Sequence, residues 1–230
     1  MPVSLMSAPI DLFLFDLAGT TVVDDRRVQQ AFERTAAAFD LPVDPVKLQA
    51  YMGWHKERVF STLLTEARQP TVAAAQMAQR FEQEFAASVA ERPLLPTRGA
   101  VESIHKLVEN GIQVGFTTGF SRSTMDLVLR ALDWQELTSV ASDEVEHGRP
   151  APDLILAAMA KVGVTDPRLV GVAGDTPSDL EAGTAAGCRF VVGVGHGTHT
   201  IEQLAKAPHT HLMHTLEGLV PTLLSYARRP

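Results

Sequence analysis

Leu12-Phe13-Leu14-Phe15-Asp16-Leu17-Ala18-Gly19-Thr20-Thr21 is the stretch on which the fold turns. A hydrophobic run stops at an acid and passes at once into a glycine-threonine turn. Such a pattern describes a buried strand that delivers one carboxylate to the carboxyl edge of a sheet, where α/β proteins build their ligand sites. A carboxylate in that position acts as a nucleophile, as a metal ligand, or as both. Two residues on stands Ala18, so this turn offers no second acid.

Downstream, strand-like and helix-like segments alternate. Strands are expected at about 10–16, 112–118, 138–141, 169–174, 189–194 and 211–213. Helices are expected over 100–109, 121–132, 151–163, 178–186 and 200–206, with one more to close the chain. That alternation implies α/β architecture with a Rossmann-like, doubly wound parallel sheet. Residues 25–92 interrupt it. They hold helical patterns such as Val28-Gln29-Gln30-Ala31-Phe32-Glu33-Arg34 and Met77-Ala78-Gln79-Arg80-Phe81-Glu82, with no clear strand between, and Pro93, Pro96 and Gly99 punctuate their end. The expected organisation is a core from 1–24 and 93–230 with an all-helical insertion over 25–92, placed to act as a lid.

The 230 residues are 45% hydrophobic and 20% charged, as in soluble globular proteins. A net charge of −7 argues against a nucleic-acid binder. No apolar run approaches the roughly 20 residues of a membrane span, and no signal peptide is apparent, so a cytoplasmic address is expected. Cys188, alone in the chain, excludes an internal disulfide framework and reads as a small buried residue.

Four separated motifs fall at the ends of expected strands. Besides the Asp16 turn there are Phe116-Thr117-Thr118-Gly119, Gly148-Arg149-Pro150-Ala151-Pro152-Asp153 and Val172-Ala173-Gly174-Asp175-Thr176-Pro177-Ser178-Asp179. A strand-terminal acid is often a helix cap, and Thr-Gly is often a plain turn. Together, though, a carboxylate nucleophile, a hydroxyl, a cation and further acids form a coherent set for phosphoryl transfer. On that reading Mg²⁺ binds Asp16 and Asp175, while Thr118 and Arg149 hold phosphoryl oxygens as Asp16 attacks.

Through these motifs, in this order, nearly the whole chain resembles the haloacid dehalogenase superfamily. The resemblance implies an aspartyl-phosphate on Asp16 and Mg²⁺ held by Asp16, the Ala18 backbone carbonyl and Asp175, with Asp179 as a second acid near the metal. It also implies a helical cap after the first strand and a homodimer formed partly through that cap. Within the superfamily, Ala18 is similar to the phosphonatase branch, the phosphonoacetaldehyde hydrolases and their relatives, where ordinary phosphatases carry an aspartate. Met52-Gly53-Trp54-His55-Lys56 looks like that branch's cap motif, whose lysine forms a Schiff base with the substrate aldehyde. The implied substrate-binding residues are Met52, Gly119, Phe120 and Thr20.

Ala18 and Lys56 are linked by chemistry. Breaking a carbon–phosphorus bond leaves electrons on carbon, which an imine on Lys56 accepts, so an acid directed at a leaving oxygen is dispensable. Lys56 must then be neutral when it attacks, which requires burial or neighbouring cations. Trp54 and Met52 are expected to supply an apolar wall. The chain departs from the branch at Val59, where a histidine is usual, at Phe120, where tyrosine is usual, and at Arg26, near the place of a cysteine. A phosphate-monoester hydrolase using Lys56 as a substrate-binding cation is the alternative. His55 is a poor replacement for the missing histidine, because adjacent helical residues point in different directions. His196, His199, His209, His211 and His214 read as surface or turn residues, and Trp54, Val59, Phe60, Leu63 and Leu64 suit either a core or a partner face.

Overall fold

The computed structural model describes residues 9–226. The outer ends of the expected core, 1–8 and 227–230, lie outside the described residues. Six parallel strands form one sheet: β1 (Leu12–Phe15), β2 (Gln113–Thr117), β3 (Thr138–Val140), β4 (Val170–Gly174), β5 (Phe190–Val194) and β6 (His211–Met213). Their spatial order is β3-β2-β1-β4-β5-β6. β1 lies between β2 and β4, so the strand order reverses beside it and opens a crevice at its carboxyl end. Phe15 pairs with Phe116 on one side and Ala173 on the other. Three strands therefore end nearly level, which brings Asp16, the Thr117-Thr118 pair and Asp175 to one edge.

Side chains alternate across the sheet as a pleated strand requires. Phe13 and Phe15 enter one apolar cluster, with Ile104, Leu107 and Phe116. Leu12 and Leu14 enter the other, with Leu154, Ile155, Val172 and Leu180. The flanking helices are α5 (Ala100–Glu109), α6 (Arg122–Ala131), α7 (Asp153–Val162), α8 (Pro177–Ala186), α9 (Ile201–Leu204) and α10 (Leu219–Leu224) once the four that precede them are counted.

Those four, α1 (Arg27–Ala38), α2 (Pro45–Ala50), α3 (Lys56–Glu66) and α4 (Ala74–Glu91), are inserted between β1 and β2 with no strand among them. Ala74, Met77, Phe81, Phe85 and Ser88 form the buried stripe of α4, at helical spacing. Phe81 lies 4.6 Å from Phe32 of α1, and Phe60 of α3 lies 5.2 Å from the same ring. Val59, Phe60, Leu63 and Leu64 are thus consumed inside the module as core. The two chain crossings run side by side. Val23 N–H donates to the Leu95 carbonyl and Thr97 N–H to that of Thr21, both at 2.9 Å. Buried Arg27 ties them off, its guanidinium donating to the carbonyls of Ser88, Arg92 and Pro93 at 2.8–3.0 Å.

Candidate active site

Asp16 leaves β1 buried, its N–H bonded to the Ala173 carbonyl at 2.9 Å. The following turn folds back because Thr21 Oγ1 donates to the Asp16 carbonyl at 2.7 Å and Gly19 adopts φ +90°. Glycine is required there twice over, since a Cβ would also run into the Asp175 carboxylate. Asp175, just past β4, is fully buried. It accepts from Thr20 Oγ1 at 3.0 Å and from Thr198 N–H at 2.6 Å. Gly197 is the opposite wall of this cradle, again too close to Asp175 for a side chain. Asp179 serves the start of α8, accepting from Thr176 N–H at 3.0 Å and Thr176 Oγ1 at 2.6 Å.

Arg149 binds these carboxylates together. One guanidinium nitrogen donates to Asp16 Oδ1 at 2.7 Å and also pairs with Asp179; the other donates to the Thr117 carbonyl and hydroxyl at 2.7 and 2.8 Å. One buried cation thus sits directly among three buried acids, with a second, Lys56, acting on Asp16 from farther off. Burial, then Asp16 and Asp179, push the Asp175 carboxyl up to about 8. Burial raises Asp16 to about 6, with Arg149 opposing and Asp179 adding to the rise. The cluster is short of positive charge, and its donors are hard oxygens in a cradle trimmed by Gly19 and Gly197. That donor chemistry fits a hard divalent cation. Among the described residues no three acid, histidine or cysteine side chains form a ready-made shell. Mg²⁺ does not need one, because it commonly uses one or two carboxylates with substrate phosphate and water.

Lys56 approaches from the helical module. It opens α3 and is buried, its Nζ donating to the Trp54 carbonyl at 3.2 Å. Phe120, Phe81 and Phe32 surround the amine with ring centres at 5.0, 5.4 and 5.5 Å. Burial brings its pKa down from 10.5 to about 8, against the opposing pull of Asp16.

Asp16, Ala18, Met52, Lys56, Thr118, Gly119 and Phe120 all line one cavity of about 30 Å³. A wider cleft of about 830 Å³ adjoins it, sharing Asp24, Met52 and Thr198. Arg149, Asp175, Asp179 and Thr20 do not line the small cavity. The expected substrate contact of Thr20 is corrected: its hydroxyl is spent on Asp175 and its carbonyl lies 2.9 Å from His196 Nε2.

Three further expectations change. The apolar wall around Lys56 is Phe32, Phe81 and Phe120 rather than Trp54, whose ring packs on Tyr51 and beneath the Arg58 guanidinium. His199 keeps its place in the bend after β5 but is buried, with Nδ1 unpartnered among the described residues, so the surface half of that expectation fails. Cys188 is half-buried, its thiol pushed up to about 12 by desolvation and hence unreactive. Sequence reading missed Asp24, Phe32, Phe81, Gly197 and Thr198. The two phenylalanines look like ordinary helix-face core, and Thr198 acts through a backbone amide that no motif marks.

Fold and site together define an α/β enzyme built around a buried carboxylate at the tip of its first strand. The chain belongs to the haloacid dehalogenase-like hydrolases, whose family model matches residues 13–193. It is 31% identical over 208 residues to a phosphonoacetaldehyde hydrolase from Bacillus cytotoxicus, covering 80% of this chain and 75% of that protein. It is 27% identical over 215 residues to the probable phosphatase IndB from Dickeya dadantii, covering 91% of each. The crystal structure of a hydrolase from Pseudomonas syringae shares the fold at a TM-score of 0.85 with 23% identity, covering 95% of this chain and 100% of that one.

Proposed function

We propose that this hydrolase cleaves the carbon–phosphorus bond of a small carbonyl phosphonate, phosphonoacetaldehyde or an analogue, with Asp16 as nucleophile and Lys56 as imine-forming amine. The observation that carries this reading is the Lys56 amine, caged by three phenylalanine rings and facing the same small cavity as Asp16 and Ala18. A solvated lysine would serve to bind charge; a desolvated one with a lowered pKa is suited to attack a carbonyl.

Lys56 condenses with the aldehyde to an iminium and releases water. Asp16 then attacks phosphorus in line, and the electrons of the breaking carbon–phosphorus bond pass to the iminium to give an enamine. Water cleaves the aspartyl-phosphate, and protonation and hydrolysis of the enamine free acetaldehyde and Lys56. Thr118 would hold a phosphoryl oxygen; Arg149, expected to share that task, is instead paired with Asp16 and Asp179 off the cavity and orients the nucleophile. Met52, Gly119 and Phe120 shape the space around the carbon chain. Asp16, the Ala18 carbonyl and Asp175 would hold Mg²⁺ with Asp179 nearby, and the bound ion supplies positive charge against the phosphoryl group.

In this reading residues 25–92 work as a cap over a core formed by 1–24 and 93–230. The cavity between Asp16 and Lys56 is only about 30 Å³, and in this reading the cap moves aside to admit substrate. A homodimer through the cap and a cytoplasmic location belong to the same proposal. No helix among the described residues is long and apolar enough to cross a membrane.

The similarity to IndB favours one second reading, hydrolysis of a phosphate monoester with Lys56 as a substrate-binding cation. Incubation with Mg²⁺ and phosphonoacetaldehyde, coupling acetaldehyde to alcohol dehydrogenase and NADH, separates the two. Turnover lost in both Asp16→Asn and Lys56→Arg supports carbon–phosphorus cleavage. Absence of acetaldehyde, with phosphate released from monoesters, supports the second reading.

A further inference from the structure

Imine formation moves protons, and neither Asp16 nor the residues beside Lys56 are free to carry them. Asp16 is gripped by Arg149 and reserved for phosphorus. Val59, one turn along α3, is apolar and fully buried. His55 does not line the cavity. Among the described lining residues, the titratable side chains are Asp16, Lys56 and Asp24.

We propose that Asp24 is the acid–base partner of Lys56, exchanging protons with its amine during imine formation and with solvent through the outer cleft. The inference rests on the carbon–phosphorus reading above. Asp24 belongs to the first chain crossing, just ahead of α1, and lines both the small cavity and the wider cleft. A group that borders a small cavity on one side and a large open one on the other is placed to relay protons between them. Its position is fixed, because Oδ1 accepts from Val28 N–H at 3.0 Å. The charged groups that act on it are Lys56 from α3, Arg27 from α1 and its neighbour Asp25. Burial raises the carboxyl above its usual range, which suits a group that must accept and return a proton.

The step balances. No ion pair joins the two side chains, so Lys56 ammonium gives one proton to Asp24 through a water in the cavity both line, and attacks the carbonyl carbon as the amine. The new carbon-bound oxygen takes one of the two amine protons, and Asp24 returns by the same route the proton it accepted as the carbon–oxygen bond breaks. Water leaves, an iminium that keeps the remaining N–H stays on Lys56, and Asp24 is again a carboxylate on the same cavity.

Acetaldehyde with sodium borohydride is the probe, because it reports imine formation without carbon–phosphorus cleavage. Reduced adduct on the Lys56 peptide is followed by mass spectrometry beside acetaldehyde release from phosphonoacetaldehyde. Asp24→Asn and Asp24→Ser both keep an oxygen for Val28 N–H, so the start of α1 is preserved. General acid–base catalysis supplies typically 10²–10⁴-fold, so both variants should lose about 10²-fold or more in trapping rate and in turnover. Asp24→Glu should recover part of each. If the wild type traps and turns over while both variants match it, the role of Asp24 is overturned and the carbon–phosphorus reading stands. If the wild type neither traps nor releases acetaldehyde, that reading falls and takes this inference with it.

Discussion

Lys56 Nζ stands 5.0 Å from the centre of the Phe120 ring. The ring face favours the ammonium electrostatically, yet removing the amine from water costs more, and the net effect is the descent from 10.5 to about 8. Borohydride trapping of acetaldehyde on Lys56 should therefore climb as pH rises and level off above about 8. Phe120→Ala admits water and should move that midpoint upward, toward an ordinary lysine. A midpoint unchanged in Phe120→Ala would mean that the cage does not set the basicity.

The same depression has a cost in stability. Between the folded value near 8 and the unfolded value of 10.5, the unfolded chain binds more protons, so stability rises with pH across that window. Below 8 the penalty is fully present. Lys56→Met removes it and should stabilise the protein at pH 7 by up to about 3 kcal/mol while abolishing trapping. Urea unfolding at pH 7 checks the sign, and a less stable Lys56→Met would contradict it.

Arg149 is the buried cation that pairs directly with both Asp16 and Asp179. Arg149→Met leaves those acids unpaired and should destabilise by about 3–5 kcal/mol, the usual cost of deleting one member of a buried pair. Arg149→Lys keeps a charge but not the second nitrogen that reaches Thr117, so it should fall between. Thermal melts of the three proteins decide this; equal stability of wild type and Arg149→Met would refute it.

The sheet, its strand positions and the carboxylate edge were legible because they rest on local signals: an apolar run, an acid and a glycine turn. Strand ends moved by a residue or two, as β1 contracts to Leu12–Phe15. The convergence of Lys56 with Asp16 was legible only through the family resemblance, since 40 positions of chain separate them. Of the phenylalanine cage only Phe120 was marked, and that through the resemblance. Phe32 of α1 and Phe81 of α4 each look alone like an ordinary core residue. His199 misled for the converse reason: a histidine in a Gly-Thr loop looks exposed, yet it is buried beside the Asp175 backbone.

Asp175 and Asp16 carry raised pKa values, so across the interval from about 4 to 8 the folded state holds more protons than the unfolded one. Metal-free stability should consequently fall as pH rises through that interval. A bound divalent cation favours the ionised carboxylates and opposes the fall. Added Mg²⁺ should raise Tm more at about pH 8 than at about pH 5, and Asp175→Asn should erase most of the difference. Melting curves with Mg²⁺ and with EDTA test this; a Tm indifferent to Mg²⁺ at every pH would rule out the site.

Gly119 supplies the test of how tightly module and sheet must meet. A Cβ there would press on the carbonyl oxygens of Gly53 and Trp54, the latter at 2.7 Å. Those residues form the turn that leads directly into Lys56. The backbone of Gly119 lies outside the left-handed region, so alanine meets a steric obstacle without added backbone strain. Gly119→Ala should therefore push the turn and Lys56 away from Asp16 while leaving the sheet intact. A displacement of about 1 Å at reacting groups costs on the order of 10²-fold in rate, whereas overpacking one methyl costs about 1–3 kcal/mol. The expected result is a kcat reduced by ten- to a hundred-fold, on the order of that displacement cost, with a small fall in Tm and slower trapping on Lys56. Unchanged kcat and trapping would show that the turn yields without moving the amine.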